Sequence, residues 1–161
     1  MLPILLTAFA GTENTSAMIL QAIERDCRKL LLPANDADAE EMLKETIRAE
    51  QPVCVIMLGQ KPVICDKIAV EPSAMINDTV LHTPMDCTMI RNLLTQAGCK
   101  AYLSKGCGNS ACNHAYFVCL REKVNCIFLH IPTKENLPRP EAVVSALEAL
   151  IDGLGGIPCM L

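Results

Sequence analysis

Short apolar runs alternate along the chain with stretches in which apolar residues recur at helical spacing, and this alternation predicts an α/β domain built on a mainly parallel sheet. Strands are expected over 3–9, 28–32, 53–59, 63–70, 101–105 and 125–131. Helices are expected near 15–26, 37–50, 86–97, 110–122 and 140–153. Asp38 and Glu41 have capping-box spacing, and Pro140 followed by Glu141 suits a first helical turn. The stretch 71–85 lacks either period and reads as a loop between a strand and a helix. There is no internal repeat and no linker composition. One α/β/α domain spanning 1–161, with a mostly parallel central sheet, is therefore expected.

Composition narrows the function. The chain is mildly acidic, with 14 Lys and Arg against 18 Asp and Glu, and only 3% of its residues are aromatic. It offers neither a basic track for phosphates nor a platform for stacking bases, which argues against nucleic acid as a partner. No apolar run reaches the length of a membrane span. The opening MLPILLTAFAG ends in an Ala-Phe-Ala that resembles a signal-cleavage site, but it lacks a positive n-region and reads as a first strand. The terminal Cys159-Met160-Leu161 is one residue short of a prenylation box. A mean hydropathy of +0.29 with so few aromatics leaves more apolar surface than one small core needs, so self-association into a homo-oligomer is expected.

The ten cysteines contain no CxxC pair, so no metal site is expected from their spacing. Most sit inside apolar runs, where a free thiol behaves as a small hydrophobe, and a reducing cytoplasm is the expected compartment. No cofactor is implied.

Cys112 differs from the other thiols. It follows the strand at 101–105 through the turn Gly106-Cys107-Gly108 and falls in the first turn of the next helix. There, unpaired backbone N–H groups and the positive end of the helix dipole lower a thiol pKa and offer donors to an oxyanion. His130 ends the following strand, just before Pro132. If those two strands are neighbours, thiol and imidazole open onto one crevice at the carboxyl edge of the sheet. His114 lies two residues on, about 200° around the helix, and points away from Cys112. His82 has no assigned partner. A buried, inert thiol and a merely hydrogen-bonded histidine satisfy the same spacing, and Cys107 with Cys112 forms an alternative redox-responsive pair at the glycine turn.

The wording of these segments carries further information. SKGCGNSACNHAYFVCL followed by CIFLHIPTKENLP resembles the pyroglutamyl peptidase type I family, the pyrrolidone carboxyl peptidases, whose nucleophile lies in a Cys-Asn-His segment and whose histidine lies in a Phe-Ile-His-Val/Ile-Pro segment. TAFAGTENTS (7–16), QPVCVIMLGQ (51–60) and CDKIAVE (65–71) resemble the family's Thr-Gly-Phe…Gly…Asn-Pro-Ser, Lys-Pro-Asp…Val-Gly-Gln and Glu-Arg-Ile-Ala-Val-Asn stretches in the same order. The resemblance implies a cysteine peptidase that removes an N-terminal pyroglutamyl group from small peptides. Cys112 is then the nucleophile, His130 the proton shuttle and Asp66 the orienting carboxylate, with Phe9, Asn14 and Gln60 around the pyroglutamyl ring. A diverged small-amide hydrolase, or an inactive binding protein on the same scaffold, fits the resemblance too.

Several departures bear on this assignment. Asp66 stands where the family has glutamate, and it could equally face solvent or pair with Lys61 or Lys67. Lys61-Pro62-Val63 replaces Gly-Gly-Arg, and the family's second opening phenylalanine has no counterpart. The segment 72–85 and the connection from Cys112 to His130 are shortened, which removes pocket walls and bears on specificity.

Overall fold

A computed structural model describes residues 3–108 and 110–155. Cys159, Met160 and Leu161, together with the first two residues of the apolar opening, lie outside the described residues. The element order is β1 (Ile4–Phe9), α1 (Thr15–Ala22), β2 (Arg28–Leu32), α2 (Asp36–Glu50), β3 (Cys54–Gln60), β4 (Ile68–Glu71), β5 (Ser73–Ile76), β6 (Thr79–His82), α3 (Cys87–Gln96), β7 (Ala101–Leu103), α4 (Ala111–Arg121), β8 (Cys126–Ile131) and α5 (Pro140–Gly155). A 3-10 turn at Lys134–Asn136 precedes α5.

Six strands form the central sheet in the order β2-β1-β3-β8-β4-β7. All pairings are parallel except β4 against β8. Side chains alternate between the faces, so each strand serves two cores. One core joins Ile4, Leu6, Ile56, Leu58, Ile68, Val70, Ile127, Leu129 and Ile131 to residues of α1, α3 and α5. The other joins Leu5, Phe9, Val55, Met57, Cys126 and Phe128 to residues of α2 and α4. This is the three-layer α/β/α arrangement that the alternation of periods predicts. β1 leads through α1 to β2, whereas β2 leads through α2 to β3 on the other side of β1. The two helices lie on opposite faces, which opens a crevice between the carboxyl ends of β1 and β3, the usual ligand position in an open α/β sheet.

Four expectations need correction. The strand expected over 63–70 begins only at Ile68, because Pro62 and the left-handed Asp66 (φ 49°) keep the preceding residues irregular. β7 and β8 are not neighbours, since β4 lies between them and runs antiparallel to β8. The stretch 71–85 holds a hairpin, β5–β6, whose two-residue turn is Asn77-Asp78 with Asn77 at φ 53°. Asn-Asp is weaker hairpin chemistry than Asn-Gly, and the strands are only four residues long, which hid the pattern. Finally, α2 starts earlier than the Asp38–Glu41 spacing implies: its cap is Asn35, whose Oδ1 accepts from the backbone N–H of Asp38 at 3.0 Å.

Candidate active site

Three consecutive residues in the first turns of α4 point in three directions, as 100° per residue requires. Cys112 turns to the sheet, while Asn113 and His114 turn to neighbouring elements. The Asn113 side chain accepts from the N–H of Met75 at 2.9 Å and donates to its carbonyl at 2.7 Å, tying the β5–β6 hairpin to α4. The His114 ring meets Glu40 of α2 at 3.1 Å, so it belongs to the α2–α4 contact, pointing away from Cys112 as expected.

Gly59 locates the Cys112 sulfur. A Cβ added at Gly59 would lie 2.7 Å from Cys112 Sγ and 2.6 Å from the Phe128 ring, so the sulfur fills the space a side chain on β3 would take. Gly59 is in parallel register with His130, so the two face the same side of the sheet on strands about 4.8 Å apart. The thiol and imidazole therefore share one crevice, although their elements are not sequential neighbours in the sheet.

The carboxylate on the imidazole is Glu71, not Asp66. Glu71 Oε1 lies 2.8 Å from His130 Nδ1, and both side chains are buried, Glu71 completely. Glu71 ends β4 with the parity of Ala69, which pairs with His130 across the antiparallel ladder. Asp66 precedes the strand; its side chain is 38% exposed and faces Lys100 at 3.8 Å. Its partner is thus neither Lys61 nor Lys67. The signal for Glu71 was available in the sequence as a carboxylate closing an otherwise apolar strand, in the place where the resembled stretch has Asn. Lys61 Nζ stands 3.9 Å from Glu71 Oε1, and Glu71 Oε2 is buried without a hydrogen-bond partner among the described residues. The Tyr116 hydroxyl donates to the Glu71 carbonyl at 2.9 Å, and the Phe128 ring packs against the imidazole with centroids 4.8 Å apart. Together they fix the backbone of one partner and the ring plane of the other.

α4 starts differently from the other helices around the site. Asn14, Asn35 and Asp86 each cap a helix through a side-chain oxygen, whereas Ser110 makes no side-chain cap hydrogen bond to α4. Among the described residues no side chain caps this first turn, so its N–H groups are left to the Cys112 sulfur and to a bound group.

The expected fall in the Cys112 pKa does not occur. Burial pushes the thiol up and the Glu71 charge adds to this, outweighing the hydrogen bonds from Ser110 and from Cys112's own N–H. Cys107 is raised more strongly, again chiefly by burial and then by Glu71 and Cys112. In this closed site the sulfur of Cys112 is a thiol, and it needs a base to become a nucleophile. With Nδ1 on Glu71, His130 Nε2 is the ring nitrogen left for that task.

The three expected ring-binding residues lie at the carboxyl edge. Phe9 is buried at the end of β1. Asn14 caps α1, accepting from the N–H groups of Ser16 and Ala17 and from the Ser16 hydroxyl. Gln60 Oε1 accepts from the N–H of Thr15 at 2.8 Å, joining the end of β3 to α1. Both amide oxygens are thus occupied, and among the described residues both amide nitrogens lack a protein partner. His82, at the exposed end of β6, takes no part in the site. For a metal, the described residues offer Glu71, Cys107 and His130, whose donor atoms all lie within 4.8 Å of one another.

A buried carboxylate–histidine pair beside a thiol at a helix start without a side-chain cap, on a three-layer α/β/α scaffold, holds the groups that nucleophilic thiol chemistry requires. The fold is that of pyroglutamyl peptidases: pyroglutamyl peptidase I from Bacillus amyloliquefaciens superposes with a TM-score of 0.81 at 20% identity over 98% of this chain and 97% of that one. Pyrrolidone carboxyl peptidase from Thermococcus litoralis does so with 0.79 at 21% identity over 96% and 93%. In sequence the chain is similar to pyrrolidone-carboxylate peptidase 1 of Saccharolobus solfataricus, 24% identical with 77% of this chain and 74% of that protein covered. It is also similar to a Saccharolobus islandicus pyrrolidone-carboxylate peptidase, 24% identical with coverages of 88% and 84%. No protein-family model matches.

Proposed function

We propose that this chain is a cysteine-type omega peptidase that removes an N-terminal pyroglutamyl group from small peptides or amides. The observation that carries the reading is the buried Glu71–His130 pair at 2.8 Å on the strand edge that Cys112 overlies. The similarity to pyrrolidone-carboxylate peptidases supplies the substrate class.

In this reading His130 Nε2 takes the Cys112 proton as the sulfur attacks the pyroglutamyl carbonyl carbon, and Glu71 stabilises the resulting imidazolium. The developing oxyanion accepts hydrogen bonds from the first-turn N–H groups of α4, that of Cys112 included. Collapse of the tetrahedral intermediate breaks the C–N bond while the imidazolium protonates the leaving amine. Water, deprotonated by His130, then cleaves the thioester and frees pyroglutamate. Phe9 packs on the lactam ring, and the amide nitrogens of Asn14 and Gln60 donate to its carbonyl. None of these steps uses a cofactor, a nucleic acid or a membrane.

One domain, 1–161, carries the activity, working as a homo-oligomer in the cytoplasm. All nine described cysteines are unpaired, which supports a reducing compartment. Exposed Val63, Met75, Val80 and Leu103 support self-association. Among the described residues no helix is long and apolar enough to cross a membrane.

The test is hydrolysis of a pyroglutamyl-coumarin amide by the purified protein, with the prolyl amide as control. Release from the first only, lost in Cys112→Ala, supports the reading. No release from either substrate by folded protein overturns it.

A further inference from the structure

Cys107 has no part in the proposed hydrolysis, yet it sits in the site. Its sulfur, one oxygen of Glu71 and one ring nitrogen of His130 lie within 4.8 Å of one another, and all three residues are buried. Sulfur, imidazole and carboxylate are together a donor set of the zinc class. Bonds of about 2.0–2.3 Å place the donors of a tetrahedral zinc site roughly 3.3–3.8 Å apart, so no pair in this cluster, whose upper limit is 4.8 Å, needs to close by more than about 1 Å.

A second, independent feature points to a cation. Glu71 Oε2 is wholly buried and has no hydrogen-bond partner among the described residues. A buried carboxylate oxygen without a donor is costly, and a metal ion is one of the few groups that satisfies it. Lys61, 3.9 Å from Oε1, is a competing cation, and its side chain is 27% exposed to solvent. The thiolate and the carboxylate bring two negative charges against the two positive charges of the ion, which suits a site without solvent access.

We propose that Glu71, Cys107 and His130 form a binding site for one zinc-class divalent cation, and that occupancy switches the hydrolase off. The proposal rests on the thiol-hydrolase reading for its consequence, not for the site itself. On loading, a sulfur–metal bond forms and the Cys107 proton leaves to solvent, while nothing is oxidised or reduced. The metal engages the His130 ring and takes Glu71 from it. The imidazole can then no longer accept the Cys112 proton. Cys112 is not counted among the ligands.

The test uses the full chain, reduced and stripped with a chelator. Equilibrium dialysis against Zn²⁺ should leave one bound equivalent, and Co²⁺ should produce a near-ultraviolet thiolate-to-metal charge-transfer band. Cys107→Ala and Cys107→Ser, both checked for folding by thermal melts, should lose the band. They should also weaken zinc binding by more than the about 10- to 100-fold typical of losing an outer partner. Glu71→Gln should weaken it as well, while Cys112→Ser should keep both the stoichiometry and the band. In the wild type, pyroglutamyl turnover should fall with one equivalent of Zn²⁺ and return with chelator.

Absence of stoichiometric zinc overturns the proposal, as does a band that survives in both Cys107 variants or disappears in Cys112→Ser. Dialysis and the cobalt spectrum decide the site even in a chain that cleaves no pyroglutamyl substrate. Turnover without zinc binding would remove the site and leave the peptidase reading standing.

Discussion

The two faces of the central sheet are made by the same strands and differ in almost everything else. Toward α1, α3 and α5, β4 and β8 present Ile68, Val70, Ile127, Leu129 and Ile131. Toward α2 and α4 the same two strands present Ala69, Glu71, Cys126, Phe128 and His130. The first face is uniform and aliphatic and stabilises the fold through burial alone. The second gives up part of that burial to hold a carboxylate–imidazole pair, two thiols and the glycine that makes room for one of them. What separates structure from chemistry here is parity along a strand. A one-residue shift of Glu71 would place its carboxylate in the aliphatic core.

The largest effect that sharpens this contrast is expected at Glu71. Glu71→Gln keeps the shape and removes the charge that supports the imidazolium. It should lower kcat/KM on a pyroglutamyl amide by about 10⁴-fold, by analogy with the carboxylate of other triads. Thermal melts should show that the protein remains folded. A loss below tenfold would mean that the chemical face does not depend on its buried pair.

Gly59→Ala comes next. The added methyl meets Phe128 and Cys112 Sγ at under 3 Å, so either the ring or the sulfur must move. Overpacking of this kind costs about 1–3 kcal/mol. Displacement of the sulfur should in addition lower kcat more than it raises KM. A variant of unchanged melting temperature and turnover would refute the placement of the thiol over β3.

A smaller effect belongs to the α1, α3 and α5 side, where Cys54 and Cys99 are buried. Burial raises Cys54 to about 12 and Cys99 to about 11 from an ordinary 9.0. A raised folded pKa stabilises the native state while the thiol stays protonated. That contribution is intact below pH 9 and is lost as pH climbs through 11 to 12. Melting temperature should therefore fall above pH 9, and Cys54→Ala should flatten the fall while lowering the starting value.

The smallest effect is expected at Asp66. Asp66→Asn removes a half-exposed partner of Lys100 and should change stability by less than about 0.5 kcal/mol, with turnover unchanged. A large loss of turnover would restore Asp66 to the site.

The contrast between Asp66 and Glu71 also shows how far the sequence was legible. Five of the six sheet strands and all five helices follow from period alone, because long apolar runs and helical spacing are strong local signals. Cys112 and His130 were legible because a strand end and a helix start are chemically marked places. Glu71 was missed because the choice between two carboxylates five residues apart depends on where β4 begins. That is fixed by a left-handed residue at Asp66 and by pairing with a strand almost sixty residues away. The acidity of Cys112 was misjudged for a related reason. The helix start is visible in sequence, whereas the burial that outweighs it is a property of packing. The interposed β4 and the β5–β6 hairpin were hidden by short strands and non-local pairing.

The way Cys112, Asn113 and His114 divide their contacts bears on how this protein can change over generations. Each neighbour in the triplet answers to a different part of the molecule: the crevice, the hairpin and α2. A substitution at Asn113 would release the hairpin without touching the thiol, and one at His114 would loosen α2 while leaving the hairpin in place. Change is thus open through the hairpin and its neighbouring loops, while the three residues of α4 that join them to the crevice are held by three unrelated constraints at once.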